Sequence, residues 1–126
     1  MPGRLEEYFE KVCSGGYVEE VSTDATVTGA TDIDLDVANV FRHTLTGNVT
    51  YSIINETATP AVNSFVLILV QDGTGSRTVT WPAEVEWDGG TAPTLTSAAS
   101  GKDMITFISP DAGTTWVGIV AAQDIS

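Results

Sequence analysis

Six consecutive residues, Phe65-Val66-Leu67-Ile68-Leu69-Val70, constrain the fold of this chain more than any other stretch. A strand alternates its side chains between two faces, so an all-apolar run has no face that suits water. It belongs in the middle of a core or under a subunit contact, and not on a solvated edge. The run is also far too short to cross a membrane as a helix, and it is the longest apolar run in the chain.

The surrounding sequence repeats the period of two. From Tyr17 onward Thr, Val and Ile dominate, and Gly, Pro, Asn and Asp return at short intervals. Ile33, Leu35 and Val37 alternate with Asp32, Asp34 and Asp36, a strand with one buried and one wet face. A strand from Val40 to Leu45 is expected to turn at Thr46-Gly47-Asn48 and return from Val49 to Ile54 as a hairpin. Thr78 to Trp81 follows the turn Asp72-Gly73-Thr74-Gly75, and Pro82 removes a ladder donor. Ile105 to Ile108 and Thr115 to Ala121 read as the last two strands, joined through Pro110-Asp111-Ala112-Gly113. The expected fold class is therefore all-β, an antiparallel β-sandwich or jelly-roll-like barrel with a short N-terminal helix.

That helix comes from a different period. Leu5, Tyr8, Phe9 and Val12 fall at i, i+3, i+4 and i+7, with Glu6, Glu7 and Glu10 facing away, and Ser14-Gly15-Gly16 stops the pattern. A helix of about ten residues is unstable alone, so its stripe must dock on its own sheet or on a neighbouring subunit or particle. The expected organisation is an amphipathic arm over residues 1–16 and one β-domain over 17–126, consistent with a length of 126 residues.

Charge and composition narrow the function. Seventeen acidic residues against five basic ones give a formal charge of −12, which repels nucleic acid and anionic membranes. Cys13 is the only cysteine, so no internal disulfide or cysteine-cluster zinc site is expected. The first residues lack a basic segment followed by an apolar one, so no secretion signal is expected.

Catalytic signals are sparse. His43, the sole histidine, lies inside a strand pattern beside Arg42 and Thr44, and no Gly-x-Ser-x-Gly elbow is present. Asp32, Asp34 and Asp36 have the ligand type of a calcium loop, but Val37 stands where that loop needs Gly and His43 where it needs Glu. On a strand the same spacing makes one solvated acidic face. Glu84 and Glu86, between Trp81 and Trp87, have the residue types of a glycosidase pair with nothing else to support it. Trp87 with Asp88 offers instead a non-catalytic sugar platform. The expectation is a non-enzyme with no cofactor and no metal.

The segment Val70-Gln71-Asp72-Gly73-Thr74-Gly75-Ser76-Arg77-Thr78-Val79-Thr80-Trp81-Pro82 resembles a β-domain that recurs in tailed-phage virion proteins, particularly tail fibres and other surface appendages. The resemblance continues through Val85 to Leu95, ends near Thr114-Thr115-Trp116-Val117-Gly118, and takes in Phe41 to Thr50 upstream. It implies a virion location, at the capsid exterior or the tail, and brings no catalytic residues. A single short module beginning at its own Met favours a capsid decoration or cement protein, bound to the major capsid protein or another virion protein. Leu5, Tyr8, Phe9 and Val12 would be its docking stripe, and a homo-oligomer, with a trimer favoured, its working form. The alternative is a tail-fibre or tail-tip module that binds a host receptor or glycan through Trp87 and the loop from Asp88 to Pro93.

Overall fold

The computed structural model describes residues 19–126. The N-terminal arm, with Leu5, Tyr8, Phe9, Val12 and Cys13, lies outside the described residues. Among the described residues seven strands run β1 Val21–Asp34, β2 Val40–Ile54, β3 Asn63–Gln71, β4 Val79–Thr80, β5 Val85–Trp87, β6 Lys102–Ser109 and β7 Trp116–Ala122. They form a single sheet in the order β1-β2-β3-β6-β7-β5, with β4 also paired to β2. The sheet is not closed, and the fold is all-β as the period of two requires.

The pairing differs from the expected antiparallel sandwich. β1 and β2 are parallel, with Val21 opposite Val40 and Asp34 opposite Ile54. β2 is parallel to β3 from Val40 to Leu45 and to β4 at Val49 and Thr50. Only β6 runs antiparallel to its neighbours β3 and β7.

Chain geometry explains what this parallel register demands. A straight strand of 14 residues would be about 45 Å long at 3.3 Å per residue, whereas five connecting residues reach across about 20 Å. Residues 35–39 therefore cannot return the chain to the start of a straight β1. Both long strands must bend back on themselves, so that the chain coils and each turn stacks on the one before. Register shifts between Asp24 and Val27 and between Val27 and Gly29 mark the bend in β1.

Thr46-Gly47-Asn48 is the matching bend in β2, and the expected hairpin there is not formed. The corner is held to the layers on either side: Asn48 Oδ1 accepts the Thr78 N–H at 3.0 Å, and Thr46 Oγ1 donates to the Val27 carbonyl at 3.5 Å. Leu35 and Val37 also depart from the expected alternation. β1 ends at Asp34, Val37 is 47% exposed, and Ala38 is buried in its place. The turn that ends β1 is closed by the Val37 N–H donating to the Asp34 carbonyl, and the next layer begins with the Val40 N–H on the Glu20 carbonyl.

The core fills the inside of the coil. Inward positions stack from layer to layer, Val27 on Leu45 and Ile33 on Ile53 in the first two turns and Phe41 on Leu67 in the next. Phe65, Phe107 and Trp116 close it from the antiparallel side: Phe65 stacks on Phe107 with ring centroids 4.7 Å apart, and Trp116 meets Phe65 edge-on at 5.3 Å. Asn63 caps the run of β3 by exchanging two hydrogen bonds with the backbone of Thr57.

The turn after β3 is built around one carboxylate. Asp72 Oδ1 accepts the N–H groups of Thr74 and Gly75 at 3.1 and 3.0 Å, and Arg77 donates to both Asp72 oxygens. Gln71 clamps the far end, accepting from the Arg77 N–H and donating to the Arg77 carbonyl. Gly75 sits at φ +76°, where a Cβ would lie 2.5 Å from the Ser97 carbonyl oxygen. Gly75→Ala is expected to destabilise the chain by about 2 kcal/mol or more, from left-handed strain plus the collision with backbone. Gly73→Ala, with open space around it, should shift a urea midpoint far less. Equal shifts for the two variants would contradict this account of the turn.

Candidate functional site

Aromatic side chains run as a chain of contacts from the interior to one rim. His43 and Tyr51 both point inward from β2, with rings stacked at 5.7 Å and His43 Nδ1 hydrogen-bonded to Tyr51 Oη at 2.7 Å. Tyr51 stacks on Trp81 at 5.9 Å, and Trp81 meets Trp87 edge-on at 5.2 Å. Phe107 touches both tryptophans from below, at 5.6 and 5.7 Å. Pro82 gives the Trp81 ring its setting by ending β4, and the Val85 N–H closes the turn on the Pro82 carbonyl.

The electrostatics of this chain follow from burial. Desolvation is the larger influence on His43 and lowers its pKa below the ordinary 6.5, while the charge of Asp24 in the adjacent layer pulls the other way. Tyr51 is pushed far above its usual range by burial first and by Asp24 second. His43 is thus a neutral ring packed between Phe41 and Tyr51.

Trp87 stands at the rim, half-buried. Its ring lies on Gly118 of β7, where any Cβ would collide with the indole, so a side chain at Gly118 and this seat for Trp87 are incompatible. Immediately after it, Asp88, Gly89 and Gly90 form a 3-10 turn, and Asp88 through Ala92 are exposed. Gly89 and Gly90 both hold positive φ, 72° and 77°, with open space around them. The two residues of the expected sugar platform are therefore adjacent, the Trp87 ring held by the core and Asp88 in solvent.

The acidic candidates are dispersed. Asp34 Oδ1 accepts the Asp36 N–H at 3.0 Å and the Asn55 side-chain amide at 2.7 Å, a local turn arrangement, while Asp32 is exposed on β1. Glu84 and Glu86 are both exposed, Glu86 on β5 opposite Val117. Among the described residues no group of three or more His, Cys, Asp or Glu side chains is arranged to hold a metal ion, and no helix is long and apolar enough to cross a membrane.

Two acids do structural work that sequence reading missed. Buried Asp103 accepts from the Thr96 N–H and hydroxyl, both at 2.7 Å, and from the Asp124 N–H. Asp111 accepts from the Ser109 hydroxyl and the Thr115 N–H, closing the β6–β7 turn, and those bonds hold its pKa below the usual range. The signal for Asp111 was present in Pro110-Asp111-Ala112-Gly113; Asp103, preceded by Lys102, carries none.

Residues 21–114, about three quarters of the chain, match the family model described as "Putative phage tail fibre C-terminal domain". The chain belongs to this family. It is a phage virion structural protein, and the family places it in the tail. The expected capsid decoration role gains no support from the match, which fits the tail-fibre alternative better. No curated protein and no solved structure matches the chain.

The lowered pKa of His43 has a linked effect on stability. The unfolded chain binds a proton at about pH 6.5 that the folded chain resists, so the contribution of His43 to stability is full above that pH and declines as pH falls below it. Proton NMR of the folded chain should show the His43 ring titrating below pH 6.5. A midpoint at or above that value would contradict its burial.

Proposed function

We propose that this tail-fibre domain is a binding module for a host-surface receptor or glycan, and that it works by contact and not by catalysis. The observation that carries this reading is membership, over residues 21–114, in a family of tail-fibre C-terminal domains. The rim geometry supports a location for the contact. Half-buried Trp87 beside an exposed loop from Asp88 to Ala92 sets an aromatic ring next to hydrogen-bonding groups, the combination that sugar recognition uses. The loop sits on a base that does not yield, because Trp87 is clamped among Gly118, Trp81 and Phe107. Preorganisation of that kind reduces the entropy lost on binding.

The acidic chain suits neutral or cationic partners. With a formal charge of −12, recognition of strongly anionic polysaccharide would be opposed at low salt. Trp87 itself is a poor probe, since its removal would disturb Trp81 and Phe107. The test is an array of immobilised bacterial surface glycans probed with the full chain and with Asp88→Ala/Thr91→Ala. Binding should fall about tenfold or more in the double variant, equivalent to about 1.4 kcal/mol, with an unchanged melting temperature. An absence of any signal from the wild-type chain, or equal signals from the two proteins, would sink the proposal.

A further inference from the structure

Asp-Gly occurs twice in this chain, as Asp72-Gly73 and as Asp88-Gly89. The pair is chemically unstable, because glycine's missing Cβ lets its amide nitrogen reach the carboxyl carbon of the side chain before it. Both glycines have open space where a Cβ would stand, so neither sequence nor local room distinguishes the two sites. The carboxyl groups do. Asp72 is held by the Thr74 and Gly75 N–H groups and by two nitrogens of Arg77. The exposed Asp88 side chain has no hydrogen bond or ion pair among the described residues.

We propose that Asp88 is a site of spontaneous aspartate isomerisation, and that the turn around Asp72 protects that residue from the same reaction. The Gly89 nitrogen attacks Cγ of Asp88, and the new N–Cγ bond closes a succinimide ring. The amide proton and the carboxyl hydroxyl leave together as one water. Water then adds back at either ring carbonyl. Cleavage of the N–Cγ bond regenerates aspartate, whereas cleavage between the Gly89 nitrogen and the Asp88 main-chain carbonyl carbon gives isoaspartate, with the chain running through Cγ. The water lost is the water regained, so the product is an isomer and neither oxidant nor reductant takes part.

Three features separate the two sites. First, Asp88 opens the 3-10 turn, so the Gly89 N–H falls among the first donors, which have no carbonyl inside the turn to bond. The nitrogen that must lose its proton is thus open to water. Second, Gly89 and Gly90 stand at φ 72° and 77° with no neighbour against them, which leaves room for the ring to close. Third, the Arg77 side chain and then the Gly75 N–H hold the Asp72 carboxyl at a pKa of about 2, and a carboxylate kept ionised is a poor electrophile. Attack there also requires those bonds to break first. Isoaspartate adds one carbon to the backbone directly after Trp87 and moves the free carboxylate onto Cα. In a tail protein, which is not renewed once the particle has formed, that change accumulates with age. The reaction needs no ligand at the rim and stands apart from the binding role proposed for it.

The test ages the full chain at mildly alkaline pH below its melting temperature, alongside Asp88→Glu, Arg77→Ala and a wild-type sample held in guanidinium chloride. Electron-transfer fragmentation of its peptides locates isoaspartate, and labelling by isoaspartyl methyltransferase counts it. In the folded wild type it should form about tenfold or more faster at Asp88 than at Asp72. Asp88→Glu should abolish the signal beside Trp87, because its carboxyl must close a larger ring. Arg77→Ala should raise the rate at Asp72 and leave that at Asp88 unchanged. In guanidinium chloride the two sites should react alike. Equal rates in the folded chain overturn the proposal, and so does a bias that persists in denaturant, which would trace it to neighbouring sequence. A folded chain that stays free of isoaspartate at Asp88 while the denatured sample acquires it there overturns it too.

Discussion

Parallel, in-register pairing of Val21–Asp34 with Val40–Ile54 is the constraint from which the rest of the structure follows. Parallel strands ordinarily need a long crossover, and here only residues 35–39 separate them. The chain meets that demand by bending the strands themselves, so the connection is short because the strand has already come round. Each turn then offers its backbone to the next, which explains why β3 and β4 can both pair with β2 along one edge. The inside of the bend is where Leu45, Val49, Tyr51 and Ile53 become core.

Much of the β character was legible because it depends on local period. Strands β3, β6 and β7 fall where alternation and turn residues place them, and the all-apolar run around Leu67 is central in the sheet. Strand direction was not legible, for a physical reason. Gly47-Asn48 between two strand-like stretches is a local signal for a hairpin, and the same residues serve equally well at a corner where the chain bends without reversing. What decides between them is the stacking of Leu45 on Val27 and Tyr51 on Thr31, contacts about 20 residues apart in sequence. Reading along the chain cannot weigh those.

The site follows the same division. Trp81-Pro82 and the Asp72-Gly73-Thr74-Gly75 turn carried the family resemblance, and the structure gives each a mechanical reason, the carboxylate-centred turn and the stack on Tyr51. Trp87 looked like an isolated aromatic beside a loop, and its dependence on Gly118 could not be seen, because that pair is made by β5 joining β7 at the far edge of the sheet. The result is a module with two unlike surfaces: a rim of exposed loop beside Trp87, and a broad apolar face on the outside of β3, β6 and β7. One buried core lies beneath both.

The parallel coil is the claim on which everything else stands, and backbone NOE mapping of the labelled chain tests it most directly. Cross-strand NOEs should connect Ser22 with Phe41 and Asp32 with Ser52, at the two ends of one parallel ladder. NOEs that instead connect Leu45 with Val49 and Thr44 with Thr50 across Gly47, the pattern of an antiparallel hairpin, would contradict the coil, the core and both surfaces built on it.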